Sequence, residues 1–446
     1  MKQRLGLALA AWLILAFPLG AQPQGRSRIG HVVVIYLENW SFDGLYGNFP
    51  GAEGLREAGD GWRQTDRGGK PLAFLAQPKD PAGLPDHRFP DRMPAQPYDL
   101  ARYLKPGDKT GDLVHRFYQH QAQIDGGLND RFAAESDNPG LVLSRFDASK
   151  LPLGKLAAKY TLCDHYFAGA FGGSFLNHIY LISAQVPRWP KAPLGLRARL
   201  DHQGRLLKDG AVTPDGDVVN TVYSTNQPHP ANTDPGNLLP PLTFDTIGER
   251  LIEAGVDWAW YSGGWDAAVA GRPDPDFQFH HQPFAYFKPY GDGTRARAVH
   301  LRDESRFLRD LDSGDLPTVA FVKPLGRDNE HPGYAALADG ERHVAEMVGR
   351  IQASPVWKDC VIFITYDEFG GRWDHVAPPK RDAYGPGTRV PLLVVSPFAK
   401  RAFVDKTPYE TASLLRFLEE WKGLRPLTER DAKAQAPWAD LDMDRP

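Results

Sequence analysis

Residues 361–366 read VIFITY, and residues 367–371, which follow at once, read DEFGG. Six apolar or β-branched residues in a row have the length of a strand buried on both faces. The carboxylates directly after it sit where a strand's carboxyl end meets a crevice. A second stretch repeats the arrangement: His31 to Leu37 is another buried-strand run, and Glu38-Asn39, then Ser41-Phe42-Asp43, follow it. Strands this apolar imply a mostly parallel sheet covered by helices on both faces, an α/β sandwich.

The neighbouring segments agree. Asp257 to Ser262, Thr318 to Val322 and Val390 to Val395 read as further strands. Helical spacing is present in Thr243 to Glu253, where Gly255 suits the end, and in the stripe Val344, Met347, Val348 and Ile351 before Pro355. Thr407-Pro408-Tyr409-Glu410 has the form of a capping box with proline at the first helical position, opening a helix that carries Leu414, Phe417, Leu418 and Trp421. Gly51 to Lys109 and Lys191 to Pro241 are rich in turn formers and read as long excursions from one core, giving a single domain over 22–446.

Composition narrows the function. Of the 446 residues 42% are hydrophobic and 24% charged, an ordinary globular balance. A net charge of −3 argues against a protein that coats nucleic acid. Two cysteines exclude a disulfide scaffold and a four-cysteine zinc site. Lys2 and Arg4, the apolar run Leu5 to Leu19 and Ala21 form a secretory signal over 1–21. The run is short for a membrane span, so stable membrane insertion is not expected, and the location is periplasmic or secreted.

Three further elements carry chemistry. Gly172-Gly173-Ser174-Phe175-Leu176-Asn177-His178 leads into helical spacing, so Ser174 sits at a helix start, where free N–H groups favour an incoming phosphate. Its hydroxyl is either a nucleophile or a cap. Carboxylates and an amide oxygen from two strand ends suit a hard cation. His115, His280, His281 and His331 stand in Gly/Pro-rich loops, where functional residues concentrate.

The stretches VVVIYLENWSFDGLYG (32–47), GGSFLNHIYLISAQ (172–185), YDEFGGRWDHVAPP (366–379) and GTRVPLLVVSPFAK (387–400) together resemble the bacterial phosphoesterase family. The similarity runs from about residue 29 to 424. The resemblance implies an alkaline-phosphatase-like sandwich and a divalent metal ion of unspecified identity. It implies Glu38, Asn39, Ser174, Asp367 and Glu368 as metal ligands and Ser174 as nucleophile. His115, His280, His281 and His331 would surround the phosphoryl group, with Asp374 and His375 in support. Trp40 departs from the family pattern, in which a basic or polar residue is commoner.

The expected activity is an acid phosphatase acting on small phosphate monoesters through a phosphoserine. Cationic imidazoles facing phosphate would suit an acidic optimum. The alternative is a phospholipase C, with Trp258, Trp260, Tyr261 and Trp265 as either an aromatic cage for a choline-like cation or plain core. The chain stops soon after its last core helix, which leans toward the compact phosphatase branch. The oligomeric state is not legible.

Overall fold

The computed structural model describes residues 26–444, so the secretory segment read at 1–21 lies outside the described residues. Eight strands build the main sheet. In chain order they are β1 (His31–Leu37), β2 (Thr161–Cys163), β3 (Trp258–Ser262), β4 (Leu301–Asp303), β5 (Val319–Lys323), β6 (Cys360–Tyr366), β7 (Leu392–Val395) and β8 (Phe403–Asp405). Their spatial order is β4-β3-β5-β1-β6-β7-β2-β8. Only β7 runs against its neighbours; every other pairing in this sheet is parallel. The strands read from apolar runs are present, with ends shifted by one or two residues.

The helices that matter here are α1 (Phe42–Tyr46), α2 (Phe117–Ile124), α3 (Ser174–Ser183), α4 (Ile247–Glu253), α5 (Glu304–Ser313), α6 (Leu337–Ala353) and α7 (Thr411–Lys422). Adjacent residues of β3 show the two covered faces. Trp260 packs toward His178 of α3, with ring centroids 6.2 Å apart, and Tyr261 packs on Phe307 of α5, at 5.3 Å. Successive strand side chains point to opposite faces, so α3 and α5 cover different sides of the sheet. The long excursion after α1 adds Leu75, Phe89 and Met93 to the same buried core. Cys163 and Cys360 are buried and free.

One element begins later than its sequence suggests. Thr407 does not cap a helix. Its amide and hydroxyl both donate to Asp405 Oδ1, at 2.8 and 2.7 Å, and the Tyr409 hydroxyl donates to Asp405 Oδ2 at 2.8 Å. Tyr409–Glu410 then pairs as a short strand with Tyr166–Phe167. The capping pair is Glu410 with Ser413, whose hydroxyl accepts from the Glu410 amide at 3.0 Å. The hydrogen bonds offered by Asp405 outcompete a first helical turn that has proline but no tertiary partner.

The loops beyond β1 and β6 are joined by a buried ionic cluster. Arg389 is fully buried and donates to Asp374 Oδ1 at 3.0 Å and Asp43 Oδ1 at 3.1 Å. It also donates to the carbonyls of Glu53 and Asp164, each at 2.8 Å, and its guanidinium lies 4.3 Å from the Phe42 ring. Removing one partner of a buried ion pair leaves the other charge uncompensated, which costs about 3–5 kcal/mol. Arg389→Ala is therefore expected to lose about that much unfolding free energy in urea, with an unchanged slope. A loss under about 1 kcal/mol would mean that the two carboxylates find other partners or water.

Candidate active site

Because β1 lies between β5 and β6 and all three are parallel, their carboxyl ends share one edge. This edge brings Glu38, Lys323 and Asp367 together. The Glu38 amide donates to the Asn329 carbonyl and the Asp367 amide to the Leu37 carbonyl, each at 3.0 Å, so both chains leave the sheet in register. Asn39 then takes a left-handed backbone, φ 67°, and its amide donates to Asp367 Oδ1 at 3.2 Å. Gly370 packs so closely on this turn that a Cβ there would stand 2.2 Å from the Asn39 carbonyl oxygen. That contact requires the glycine.

Ser174 is the first residue of α3, and Gly173 is its N-cap, with no side-chain cap bond. The serine hydroxyl is thus not used in capping; it donates to Glu38 Oε2 at 2.8 Å. The loop before it is held by Asn177, which accepts from the Ala170 amide at 2.8 Å and donates to the Gly173 carbonyl at 3.1 Å. The glycine pair serves the fold as well as any ligand. A Cβ on Gly172, at φ +86°, would meet the Phe117 amide nitrogen at 2.6 Å, and one on Gly173 would meet the His115 carbonyl oxygen at 2.8 Å.

Glu38 is fully buried. Its Oε1 pairs with Lys323 Nζ, and His281 Nε2 lies 3.0 Å from the same oxygen. Burial alone would raise the carboxyl pKa, but Lys323, then His281 and His178, hold it well below the usual range. At Asp367 the balance reverses: burial first, and the Glu38 charge second, outweigh Lys323 and push it up to about 8. Burial and the Asp367 charge likewise raise Glu368. The Glu368 amide donates to Asp367 Oδ1 at 2.8 Å, and Glu368 Oε1 lies 3.8 Å from His115 Nε2.

Four histidines named from sequence meet here. His115 Nε2 lies 3.4 Å from Asn39 Nδ2, and its ring is 5.5 Å from that of His331. His280 and His281 are in edge contact at 4.7 Å. His115, His280 and His331 line a pocket of about 120 Å³ with Ser174, Arg116, Asn220, Gln278 and Tyr334. Burial works against cationic imidazoles at three of these positions. It lowers the pKa of His280 and His331 and takes His281 down to about 4.

Two site residues were not picked out in the sequence. His178 lies one turn after Ser174; its Nδ1 donates to the Ser174 carbonyl at 2.7 Å, and its Nε2 faces Glu38 Oε1 at 3.9 Å. The i, i+4 spacing from Ser174 was the available signal. Lys323 closes the run VAFVK, a cation at the end of an otherwise apolar strand. The aromatic run near 258–265 is core: Trp258, Trp260, Tyr261 and Trp265 are all buried, and Trp260 Nε1 donates to the His281 carbonyl at 2.8 Å. Asp374 and His375 belong to the Arg389 cluster, where His375 Nδ1 donates to Asp43 Oδ2 at 2.6 Å.

The residues fit a divalent cation. Asn39 Oδ1, Asp367 Oδ2 and Glu368 Oε1 are buried acceptors with no hydrogen-bond partner, and the Nε2 atom of His178 is also unpartnered. Unpaired buried acceptors are costly, and hard oxygens grouped with imidazoles are the donors such ions take.

Fold and site together define an α/β sandwich with its candidate site at the carboxyl ends of β1, β5 and β6. The chain belongs to the Phosphoesterase family, whose model matches residues 29–425. It is 24% identical to the hemolytic phospholipase C of Pseudomonas aeruginosa, over 89% of this chain and 53% of that protein. It is 24% identical to phospholipase C B of Mycobacterium tuberculosis, over 96% and 79%, and 28% identical to non-specific phospholipase C6 of Arabidopsis thaliana, over 92% and 72%. The chain spans about half the length of the two Pseudomonas phospholipases it matches. Among solved structures it resembles a protein of the alkaline phosphatase superfamily from Vibrio parahaemolyticus, with a TM-score of 0.35 and 10% identity over 74% of this chain and 68% of that one. For the phosphonate monoester hydrolase of Agrobacterium radiobacter the TM-score is 0.38, with 11% identity over 94% and 78%.

Glu38→Gln and Asp367→Asn are each expected to lower bound divalent metal by one equivalent relative to the parent, read by elemental analysis of the purified protein. Full retention in both variants would remove these two carboxylates from the ligand set.

Proposed function

We propose that this protein is a periplasmic or secreted phosphatase that hydrolyses small phosphate monoesters through a phosphoseryl intermediate on Ser174. The observation that carries the reading is the Ser174 hydroxyl, free of capping duty at the start of α3 and bonded to a buried, ionised Glu38. Glu38 holds the Ser174 hydroxyl through its hydrogen bond and orients Oγ for in-line attack on phosphorus, the hydroxyl proton passing to water. The N–H groups at the start of α3 and the side chains of His115, His280 and Arg116 receive the equatorial oxygens. An imidazole across the pocket supplies the N–H toward the leaving oxygen, and water then cleaves the phosphoserine. A divalent ion held by Glu38, Asn39, Ser174, Asp367 and Glu368 would supply positive charge to the serine oxygen and to one phosphoryl oxygen.

Two features support a monoester. The pocket is small, at about 120 Å³, and its walls are mostly polar side chains. Such walls match the extra charged oxygen of a monoester dianion. No helix among the described residues is long and apolar enough to cross a membrane. The names of the curated relatives favour a second reading, a phospholipase C working with the same serine. That reading needs a wider leaving-group pocket, and the buried tryptophans of β3 do not supply a cage.

Ser174→Ala is expected to fold with the parent's melting temperature and to lose almost all turnover; near-parental activity would overturn the assignment of the nucleophile. Catalytic efficiency on p-nitrophenyl phosphate is expected to exceed that on phosphatidylcholine micelles. A lipid preference of about tenfold, about 1.4 kcal/mol in the transition state, would select the phospholipase reading instead.

A further inference from the structure

A second group of metal-ligating side chains lies outside the Ser174 cluster and shares no residue with it. His165 follows β2, His375 follows β6, and Glu53 belongs to the loop after α1. Each imidazole is fixed from behind by a buried carboxylate. His165 Nδ1 donates to Asp164 Oδ1 at 2.7 Å, and His375 Nδ1 donates to Asp43 Oδ2 at 2.6 Å. Both rings therefore turn Nε2 toward the same carboxylate. His165 Nε2 lies 3.4 Å from Glu53 Oε2, and His375 Nε2 lies 4.0 Å from Glu53 Oε1. The second separation is too long for a hydrogen bond. His375, whose side chain is 7% exposed, has a buried Nε2 with no hydrogen-bond partner.

We propose that Glu53, His165 and His375 form a second site, structural in role, for a divalent transition metal of the zinc type. An imidazole whose far nitrogen donates to a carboxylate is the arrangement that fixes tautomer and ring orientation in zinc sites. Bonds of about 2.0–2.2 Å to nitrogen and oxygen at a tetrahedral centre place two ligand atoms about 3.3 Å apart, close to the His165–Glu53 separation. The Glu53 side chain, 40% exposed, has the freedom to close the wider gap to His375. Charge favours a dication: Asp43 and Asp374 pair with Arg389 and Asp164 with Lys406, so with Glu53, whose carboxylate meets only the two imidazoles among the described residues, carboxylates outnumber these cations by two. His165 is 17% exposed, which leaves a path for the ion. The ion would clamp three segments that Arg389 already draws together.

The test uses tag-free, metal-stripped, full-length protein carrying Glu38→Gln and Asp367→Asn, so the Ser174 cluster is disabled and failure of the phosphatase reading leaves the result unchanged. Zn²⁺ alone is added, and bound metal and melting temperature are measured. One equivalent of zinc is expected to bind and to raise the melting temperature. Adding His165→Ala or Glu53→Gln, both at partly exposed positions, is expected to weaken zinc binding at least tenfold while leaving the zinc-free melting temperature unchanged. Absence of zinc binding in the starting variant would overturn the proposal. So would zinc affinity that neither His165→Ala nor Glu53→Gln alters.

Discussion

The site depends on one buried carboxylate. Glu38 leaves the sheet at the end of β1 with no exposure to water, and an isolated carboxylate there would take up a proton rather than stay charged. Lys323, one strand away, prevents this by pairing with Oε1. That pairing leaves Oε2 for Ser174 and sets Glu38 apart electrostatically from Asp367, which burial and the Glu38 charge push the other way. The pair is expensive to bury but specific in direction: the ammonium comes from a strand, whose backbone cannot swing it elsewhere. Strand order is therefore a chemical fact here. Moving β5 from beside β1 would leave both charges without a partner.

Much of this could be read from the chain, and the reason is the period of its pattern. Strands buried on both faces leave continuous apolar runs, so β1 and β6 were visible, and the polar clusters that terminate them marked the functional edge. What the sequence hid were residues whose role depends on a partner far away in the chain. Lys323 looks like a strand end until β1 is placed beside it. His178 looks like one polar residue on an apolar helix until Glu38 meets it. Thr407 had every local feature of a cap and lost to Asp405, a competition that spacing alone cannot rank.

The glycines before Ser174 show how one sequence feature carries two constraints. As a ligand-approach loop, Gly172 and Gly173 would serve an incoming phosphate. In the structure each also admits backbone atoms of residues 115–117, inside the distance a Cβ would need. The two demands are compatible because His115 belongs to that same passing segment and lines the pocket. The loop that frees the serine hydroxyl from capping is thus the loop that brings an imidazole within reach of it.

Burial of the imidazoles bears on how the pocket handles charge. Burial depresses the pKa of His280, His281 and His331, and the nearby Lys323 adds to the effect on His280 and His281. A neutral ring holds one N–H and one lone pair, so each can serve a phosphoryl oxygen or a cation but not both. His178 shows the division. Its Nδ1 proton goes to the Ser174 carbonyl, and its lone pair is left facing the carboxylate side, where it stays unpartnered. The Nε2 of His281 lies 3.0 Å from Glu38 Oε1 on the same side, while His115, His280 and His331 border the pocket. The imidazoles thus sort by position, with His178 and His281 toward Glu38 and His115, His280 and His331 toward the pocket.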